Sequence, residues 1–275
     1  LTATLLLLAL LVVAAPGAGR VPRLAYAGLA ACAALLVLTT PVTLFCLPIL
    51  ALGLVLVRGA PVPQALGLIA LPLLALLVWT LRNWLVFDTW PMIASNSGVN
   101  LLIGNSENAG PNLGLTTDIS RYRAAAEGMD EIARNAFYRD QAMAWITANP
   151  EAAARLYLAK FLNFFNFENR LATEGQASTL RSVALFASYY GLLALAVLRL
   201  GVARSRPLRR GELLVVAIYL GAAVCYSIFF NRIRFRMPFD YMLVILGAAT
   251  LAHLAERLAG ARGRRPGARS PSAPP

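Results

Sequence analysis

The sequence has little charge, and its charge is mostly of one type. Charged residues make up 14% of the chain and hydrophobic residues 59%, whereas soluble proteins have about 25% charged residues. Only 13 residues are acidic, one is histidine, and Lys160 is the one lysine among 25 basic residues. This composition argues against a soluble globular domain and predicts a membrane protein.

Several motifs that carry chemistry are also absent. The sequence contains no glycine-rich phosphate loop, no CxxC pair and no HExxH run, so nucleotide-binding and zinc hydrolase classes have no support. We predict no cofactor and no metal ligands, and dependence on a divalent metal stays open. Cys32, Cys46 and Cys225 fall in apolar runs, which favours small buried hydrophobic side chains over disulfide partners.

What the chain has instead is a series of apolar runs of nearly membrane-spanning length. They predict an all-α polytopic membrane protein. The first run, "LLLLALLVVAAPGAG", also resembles a signal peptide, but it lacks an initiating Met and a basic leader, and further spans follow. The seven predicted spans are Leu1–Ala15, Leu24–Thr39, Val42–Val57, Ala65–Leu81, Ser182–Leu198, Leu213–Phe230 and Pro238–Ala255.

Charge between the spans predicts the topology. The short loops around Arg20, Arg58 and 199–210, and the tail from Arg257, are basic and fall on one side when the spans are counted. Short basic loops stay cytoplasmic, so the C-terminus is predicted inside and segment 82–181 outside. The predicted organisation is about four transmembrane helices in 1–81, an extracytoplasmic segment in 82–181, three transmembrane helices in 182–256, and a disordered basic cytoplasmic tail in 257–275. This basic charge next to spans favours a membrane surface over a nucleic-acid partner.

The predicted extracytoplasmic segment holds ten of the thirteen acidic residues. Its first part, from Arg82 to Asn112, mixes aromatic and β-branched residues with Asn, Ser and Gly, which favours short strands and turns. Asn83, Asn96 and Asn105 are candidate sugar-binding residues, with turn formation as the alternative. Trp84 and Trp90 are typical of an interfacial aromatic belt, with stacking on a sugar as the alternative.

The second part of the segment has a helical pattern. "NPE" at Asn149–Glu151 predicts a new helix, with Asn as N-cap, Pro at the first position and an acid in the first turn. That helix carries Arg155 and Lys160 among many aromatic residues, which favours a helix in the headgroup layer; a packed core helix is the alternative. The whole segment is therefore predicted to be mixed α/β.

The stretch "NRIRFRM" puts Arg232, Arg234 and Arg236 on the predicted outer side, against the distribution of every other short loop. In an extended segment their spacing would place all three guanidinium groups on one side. Arginine binds phosphate through a planar, two-pronged donor set, so the row predicts a lipid phosphate ligand. Snorkelling to the headgroups is the alternative. Arg82, at another outer helix end, is a further phosphate candidate or an interfacial anchor.

Three stretches in this order resemble the C-terminal half of bacterial membrane glycosyltransferases of the GT-C fold. They are "RNWLVFDTWPMIASNSGVNLLIGN", "RNAFYRDQAMAWITANPEAAARLYLAKFLNFF" and "RIRFRMPFDYMLVILGA". The chain is similar to the dolichyl-phosphate-mannose protein mannosyltransferase and aminoarabinose transferase families. It departs from them at Thr40, where a basic residue is more usual.

The resemblance implies a multi-pass protein of the bacterial inner membrane, active in the cell envelope. It implies transfer of a sugar from a polyprenyl-phosphate donor to a lipid, glycan or protein acceptor on the outer face. The family's catalytic acid lies in an early loop, so we expect the chain to be N-terminally truncated, with the catalytic residue upstream of Leu1; activity of this chain alone stays open. A transporter, or a polysaccharide polymerase or ligase without this donor, is the alternative. Against a transporter, no span has an ionisable residue at its centre.

Overall fold

The computed structural model of the protein describes residues 1–15, 17–88, 94, 96–168, 179–204 and 206–263. These residues form helices, turns and loops, and no strand occurs among them. Each of the seven predicted spans corresponds to a helix and extends at most two residues beyond its ends, and the third begins in a 3₁₀ turn. An all-α architecture is therefore confirmed for the described part of the chain.

Four helices are long and apolar enough to cross a bilayer. Each has 18 or more residues and contains an apolar stretch of 18 residues. Their surfaces carry many exposed leucine and valine side chains, as expected of helices that face lipid. They are consistent with a membrane protein. These helices are α4 (Val62–Phe87), α9 (Thr179–Gly201), α10 (Arg210–Ile228) and α11 (Ile233–Gly263).

The other apolar helices are shorter than a typical span. They are α1 (Thr2–Ala14), α2 (Arg23–Thr39) and α3 (Cys46–Leu56), the last preceded by a 3₁₀ turn at Pro41–Phe45. Packing of α1 on α2, of α2 and α3 on α4, and of α3 on α10 buries one leucine-rich core that continues into α11. Burial of these apolar faces against one another positions the helix ends that carry charge.

Contacts between helix ends confirm that the predicted basic loops share one end of the bundle. Arg58 donates to Val12 O at 3.1 Å, and its carbonyl accepts from Gly19 N at 2.7 Å. Arg210 donates to Leu56 O. We call this the basic end; Arg58, Arg199, Arg206 and Arg210 lie there. The opposite end contains the Thr2–Thr40 hydroxyl pair at 3.0 Å.

Ion pairs at the basic end connect the last three helices. The Arg199 guanidinium binds both carboxylate oxygens of Glu212, at 2.7 and 2.8 Å, and both side chains are buried. Glu212 also accepts from Arg209 N, which fixes the start of α10. Arg206 Nη1 lies 2.6 Å from Glu256 Oε2, and this ion pair is more exposed. Together these contacts join α9, α10 and α11.

Residues 96–168 form a second group of helices at the opposite end, which we call the polar cap; the last of them also packs on α10. Its helices are α5 (Ser97–Gly104), α6 (Ser120–Ala125), α7 (Glu131–Ala148) and α8 (Pro150–Phe164). Asp130 accepts from Ile132 N and Ala133 N and so caps α7. The predicted restart at 149–151 is confirmed, although the Asn149 side chain donates to Trp145 O at the end of α7 and makes no cap bond to α8.

The prediction of strands in 82–112 is wrong for the described residues. Residues 82–87 continue α4, and 97–104 form α5. The helix is favoured because α5 packs closely on α7, where a side chain on Gly98 would clash with the backbone of Asn135. Tertiary packing therefore overrides the local β preference. The mixed α/β prediction is not confirmed, and Trp90 lies outside the described residues.

The predicted boundary of the tail also needs correction. Residues 257–263 continue α11, because proline does not occur until Pro266 and the residues before it allow the helix to propagate. The predicted disorder therefore does not begin at Arg257. Residues 264–275 lie outside the described part of the chain.

Candidate functional site

The arginine segment, residues 231–236, lies where the polar cap meets the bundle. Its predicted extended conformation is wrong, because α11 begins at Ile233. On a helix, residues two apart point in different directions whereas residues four apart share a face. The three arginines therefore do not form one row, and the structure separates their environments.

Arg236 is buried, and both its Nε and its Nη1 have partners. Its Nε lies 3.0 Å from an Asp240 carboxylate oxygen, and its Nη1 donates to Phe164 O at 2.9 Å and to Asn166 O. The guanidinium carbon lies 3.6 Å from the centre of the Tyr189 ring. Arg236 thus holds together α8, α9 and α11. This environment is that of a structural residue, not of an open anion site.

Arg232 and Arg234 have different surroundings. Arg234 is exposed and lies over the Phe235 ring, while Arg232 is half-buried beside Gly114. Within the described ranges, neither residue has a carboxylate partner. Partial burial and the charge of Arg234 lower the pKa of Arg232 from its usual value. An anion bound here would relieve this repulsion.

Arg232 and three asparagine side chains line one small cavity. Asn163, Asn166 and Asn231 line a cavity of about 10 Å³ together with Arg232 and Arg236, which is room for about one water molecule. Asn231 is 4% exposed, and its Oδ1 has no hydrogen-bond partner among the described residues. A ligand larger than water would therefore bind at the surface of this junction, not inside it.

Lys160 fixes the polar cap to the end of α10. Its side chain has no exposed surface, and its ammonium donates to Gly104 O and Phe229 O at 2.9 Å and to Asn105 Oδ1 at 3.1 Å. Burial lowers the pKa of Lys160 to about 8. Lys160 therefore does not reach the surface, and the alternative of a packed helix applies to the buried face of α8; the headgroup location of the helix stays a prediction.

Asn231, Phe230 and Gly104 also hold this junction together. Asn231 donates to Lys160 O, and Phe230 belongs to the small core of the cap together with Tyr122 and Tyr138. A side chain on Gly104 would lie 1.8 Å from Phe229 O, so the α5 and α10 ends approach more closely than any other residue allows. The arginine segment is thus held between two packed units.

The predicted sugar-binding residues do not form one group. Asn105 is buried; its amide donates to Leu101 O and Ile228 O at 2.9 Å and accepts from Lys160. Asn96 is exposed at the start of α5. Asn83 is buried on α4 and accepts from Arg82 at 3.0 Å.

Arg82, the fourth predicted phosphate residue, is exposed and lies 5.6 Å from the centre of the Trp79 ring. It belongs to α4, which packs on α2 and α3, whereas α11 packs on α9 and α10. Among the described residues, no hydrogen bond or ion pair joins Arg82 to Arg232, Arg234 or Arg236. A guanidinium next to a tryptophan at a helix end fits the interfacial-anchor alternative.

Sequence reasoning missed four residues at the junction. Lys160 is a buried cation. Asn163, Asn166 and Asn231 line the small cavity beside Arg232. Lys160 is the one lysine of the chain, and Asn163 and Asn166 are spaced to share a helix face. These were the available signals. Among the described residues, no cluster of three or more His, Cys, Asp or Glu side chains offers a metal site.

Comparison with models of protein families, with curated proteins and with solved structures finds no match to this chain. The resemblance to GT-C glycosyltransferases therefore stays a prediction.

Proposed function

We propose that the chain is part of an integral membrane glycosyltransferase of the GT-C type, in the bacterial inner membrane. Its reaction is transfer of a sugar from a polyprenyl-phosphate donor to a lipid, glycan or protein acceptor on the extracytoplasmic face. The observation that supports it best is the pair Arg232 and Arg234, adjacent cations at the cap–bundle junction without carboxylate partners in the described ranges.

Such a transfer is favoured by cations next to the departing phosphate. A carboxylate takes the proton of the acceptor hydroxyl, the hydroxyl oxygen bonds to the anomeric carbon, and the bond from that carbon to the phosphate oxygen breaks. The departing polyprenyl phosphate gains negative charge, which fixed guanidinium groups stabilise. We assign Arg232 and Arg234 to this role and no residue of this chain to the role of base.

The other predicted residues take different parts in the proposal. Arg236 is a positioning residue, because its Nε and Nη1 already bind Asp240, Phe164 O and Asn166 O. Asn105 likewise supports Lys160. Exposed Asn96 remains a sugar candidate, and Arg82 is assigned to the membrane interface.

The direct test is transfer from a radiolabelled polyprenyl-phosphate sugar in membranes that contain the complete gene product. We expect the double variant Arg232→Gln/Arg234→Gln to lose transfer by about 100-fold or more, as when oxyanion donors are removed. Its matched control is Arg139→Gln/Arg155→Gln, which removes the same charge from exposed arginines of the cap. Unchanged transfer by a properly inserted Arg232→Gln/Arg234→Gln variant contradicts the proposal.

A further inference from the structure

A groove between α3 and α10 lies at the basic end, far along the bundle from the arginine segment. Its cavity volume is about 350 Å³, within the range of small-molecule sites. On α3 the groove is lined by Leu52, Gly53 and Leu56. Leu52 and Leu56 are exposed, by 56% and 48%, whereas Gly53 is buried. The leucines therefore form the wall and the glycine the floor.

The α10 side of the groove is lined by residues that lie on one face of the helix. Arg210, Leu213 and Ala217 line it at i, i+3 and i+7, a spacing that keeps them on one helix face. Seven residues of helix correspond to about 10 Å. The groove is thus an apolar channel along the helices with an arginine at one end.

The floor of the channel is formed by close packing of the helices around Gly53. A Cβ atom on Gly53 would lie 2.9 Å from a Leu214 methyl carbon and 3.1 Å from a Val13 methyl carbon. The floor is therefore closed by tight packing, and the channel opens outward between exposed leucines. Such a channel on a helix bundle that faces lipid is open to an acyl chain.

The polar end of the channel is strongly cationic. Arg210 donates to Leu56 O at 2.5 Å, which uses one of its five N–H groups. Arg58 follows the lining residue Val57, and Arg209 precedes Arg210. The nearby acid Glu212 already binds Arg199 through both oxygens. Among the described residues, no carboxylate pairs with Arg58, Arg209 or Arg210, so the mouth of the groove has positive charge for an anionic headgroup.

We propose that this groove binds one anionic phospholipid of the membrane, with an acyl chain along α3 and α10 and the lipid phosphate on Arg210. The combination of an apolar channel with an arginine at its mouth fits both halves of such a lipid. The proposal does not rest on the glycosyltransferase function. It assigns a lipid site to the end of the bundle opposite the polar cap.

The test measures lipid bound to the purified protein by native mass spectrometry. Phosphatidylglycerol and phosphatidylcholine with the same acyl chains are titrated in detergent. We expect one phosphatidylglycerol to bind at least tenfold more tightly than phosphatidylcholine. Arg210→Gln should remove this preference, and Ala217→Phe should block the channel and weaken binding tenfold with Arg210 intact.

Matched controls change similar residues elsewhere. Arg23→Gln removes an exposed arginine at the first residue of α2, and Ala194→Phe adds a ring to an exposed position of α9. Both should bind lipid as the unchanged protein does, and circular dichroism checks folding of each variant. Equal binding of the two lipids, or wild-type binding by Arg210→Gln or Ala217→Phe, overturns the proposal.

Discussion

The two ends of the helix bundle both carry arginines, but they use them differently. At the basic end, Arg199 and Arg206 bind carboxylates, Arg58 donates to helix carbonyls, and Arg210 donates to one carbonyl and keeps its other donors for the proposed lipid phosphate. At the cap end, the arginine segment contains one engaged residue, Arg236, and two without a carboxylate partner in the described ranges. Arginine count alone thus does not identify an anion site; the partners of each guanidinium do.

The contrast is sharpest inside the arginine segment. Arg236 has a side-chain exposure of 4% and an ion pair, whereas Arg234 is exposed and touches its neighbouring Phe235 ring. Both lie in the first turn of α11, two residues apart. Helix geometry directs Arg236 toward α8 and α9 and Arg234 outward. Two residues of the same type, two positions apart, therefore have different roles.

The largest effect should come from Arg236→Gln. It leaves Asp240 without its cation and removes the donors to Phe164 O and Asn166 O. Breaking a buried ion pair costs about 3–5 kcal/mol, so thermal unfolding in detergent should occur at a clearly lower temperature. Arg234→Gln is the control and should change stability by about 0.5 kcal/mol or less. Equal stability of the two variants would contradict the division of roles.

A second, smaller effect concerns the junction of the polar cap and the bundle, which holds the arginine segment. Gly104→Ala forces a methyl group against Phe229 O, and overpacking of this kind costs about 1–3 kcal/mol. Gly191→Ala in α9 has open space around it and should be neutral or slightly stabilising, because alanine favours helix. Thermal unfolding of both variants measures the difference. A stable Gly104→Ala protein would show that cap and bundle are not tightly joined there.

A third effect, of similar size to the second, is a pH dependence of stability from Lys160. Its pKa of about 8 in the folded protein lies below the ordinary value of about 10.4. Between these values the unfolded chain binds more protons, so Lys160 makes the free energy of unfolding rise with pH; below pH 8 the burial penalty is constant. The melting temperature of the wild type minus that of Lys160→Met should therefore increase from pH 8 to pH 10. A constant difference would mean that Lys160 is not buried as a desolvated cation.

Much of the bundle could be predicted from the sequence because apolar runs of this length leave few alternatives to helix. The grouping of basic loops followed from counting spans. The polar cap was harder: α5 forms because Gly98 allows contact with α7, and no local pattern in 97–104 signals that contact.

The candidate site was predicted only in part. Its place in the chain followed from the unusual charge at 231–236, but the engagement of Arg236 depends on carbonyls of α8 that are 70 or more residues away. The burial of Lys160 likewise depends on Gly104 and Phe229, which belong to other elements. Partners so distant in sequence cannot be assigned without the tertiary structure.

The account depends most on the side of the membrane that the arginine segment faces. In a variant whose three native cysteines are replaced by alanine, Arg234→Cys introduces one exposed cysteine in that segment, and Arg209→Cys introduces one at the basic end. A membrane-impermeant maleimide added to intact spheroplasts should label Arg234→Cys at once and Arg209→Cys only after lysis. Labelling of Arg209→Cys in intact spheroplasts, with Arg234→Cys protected until lysis, would contradict the account.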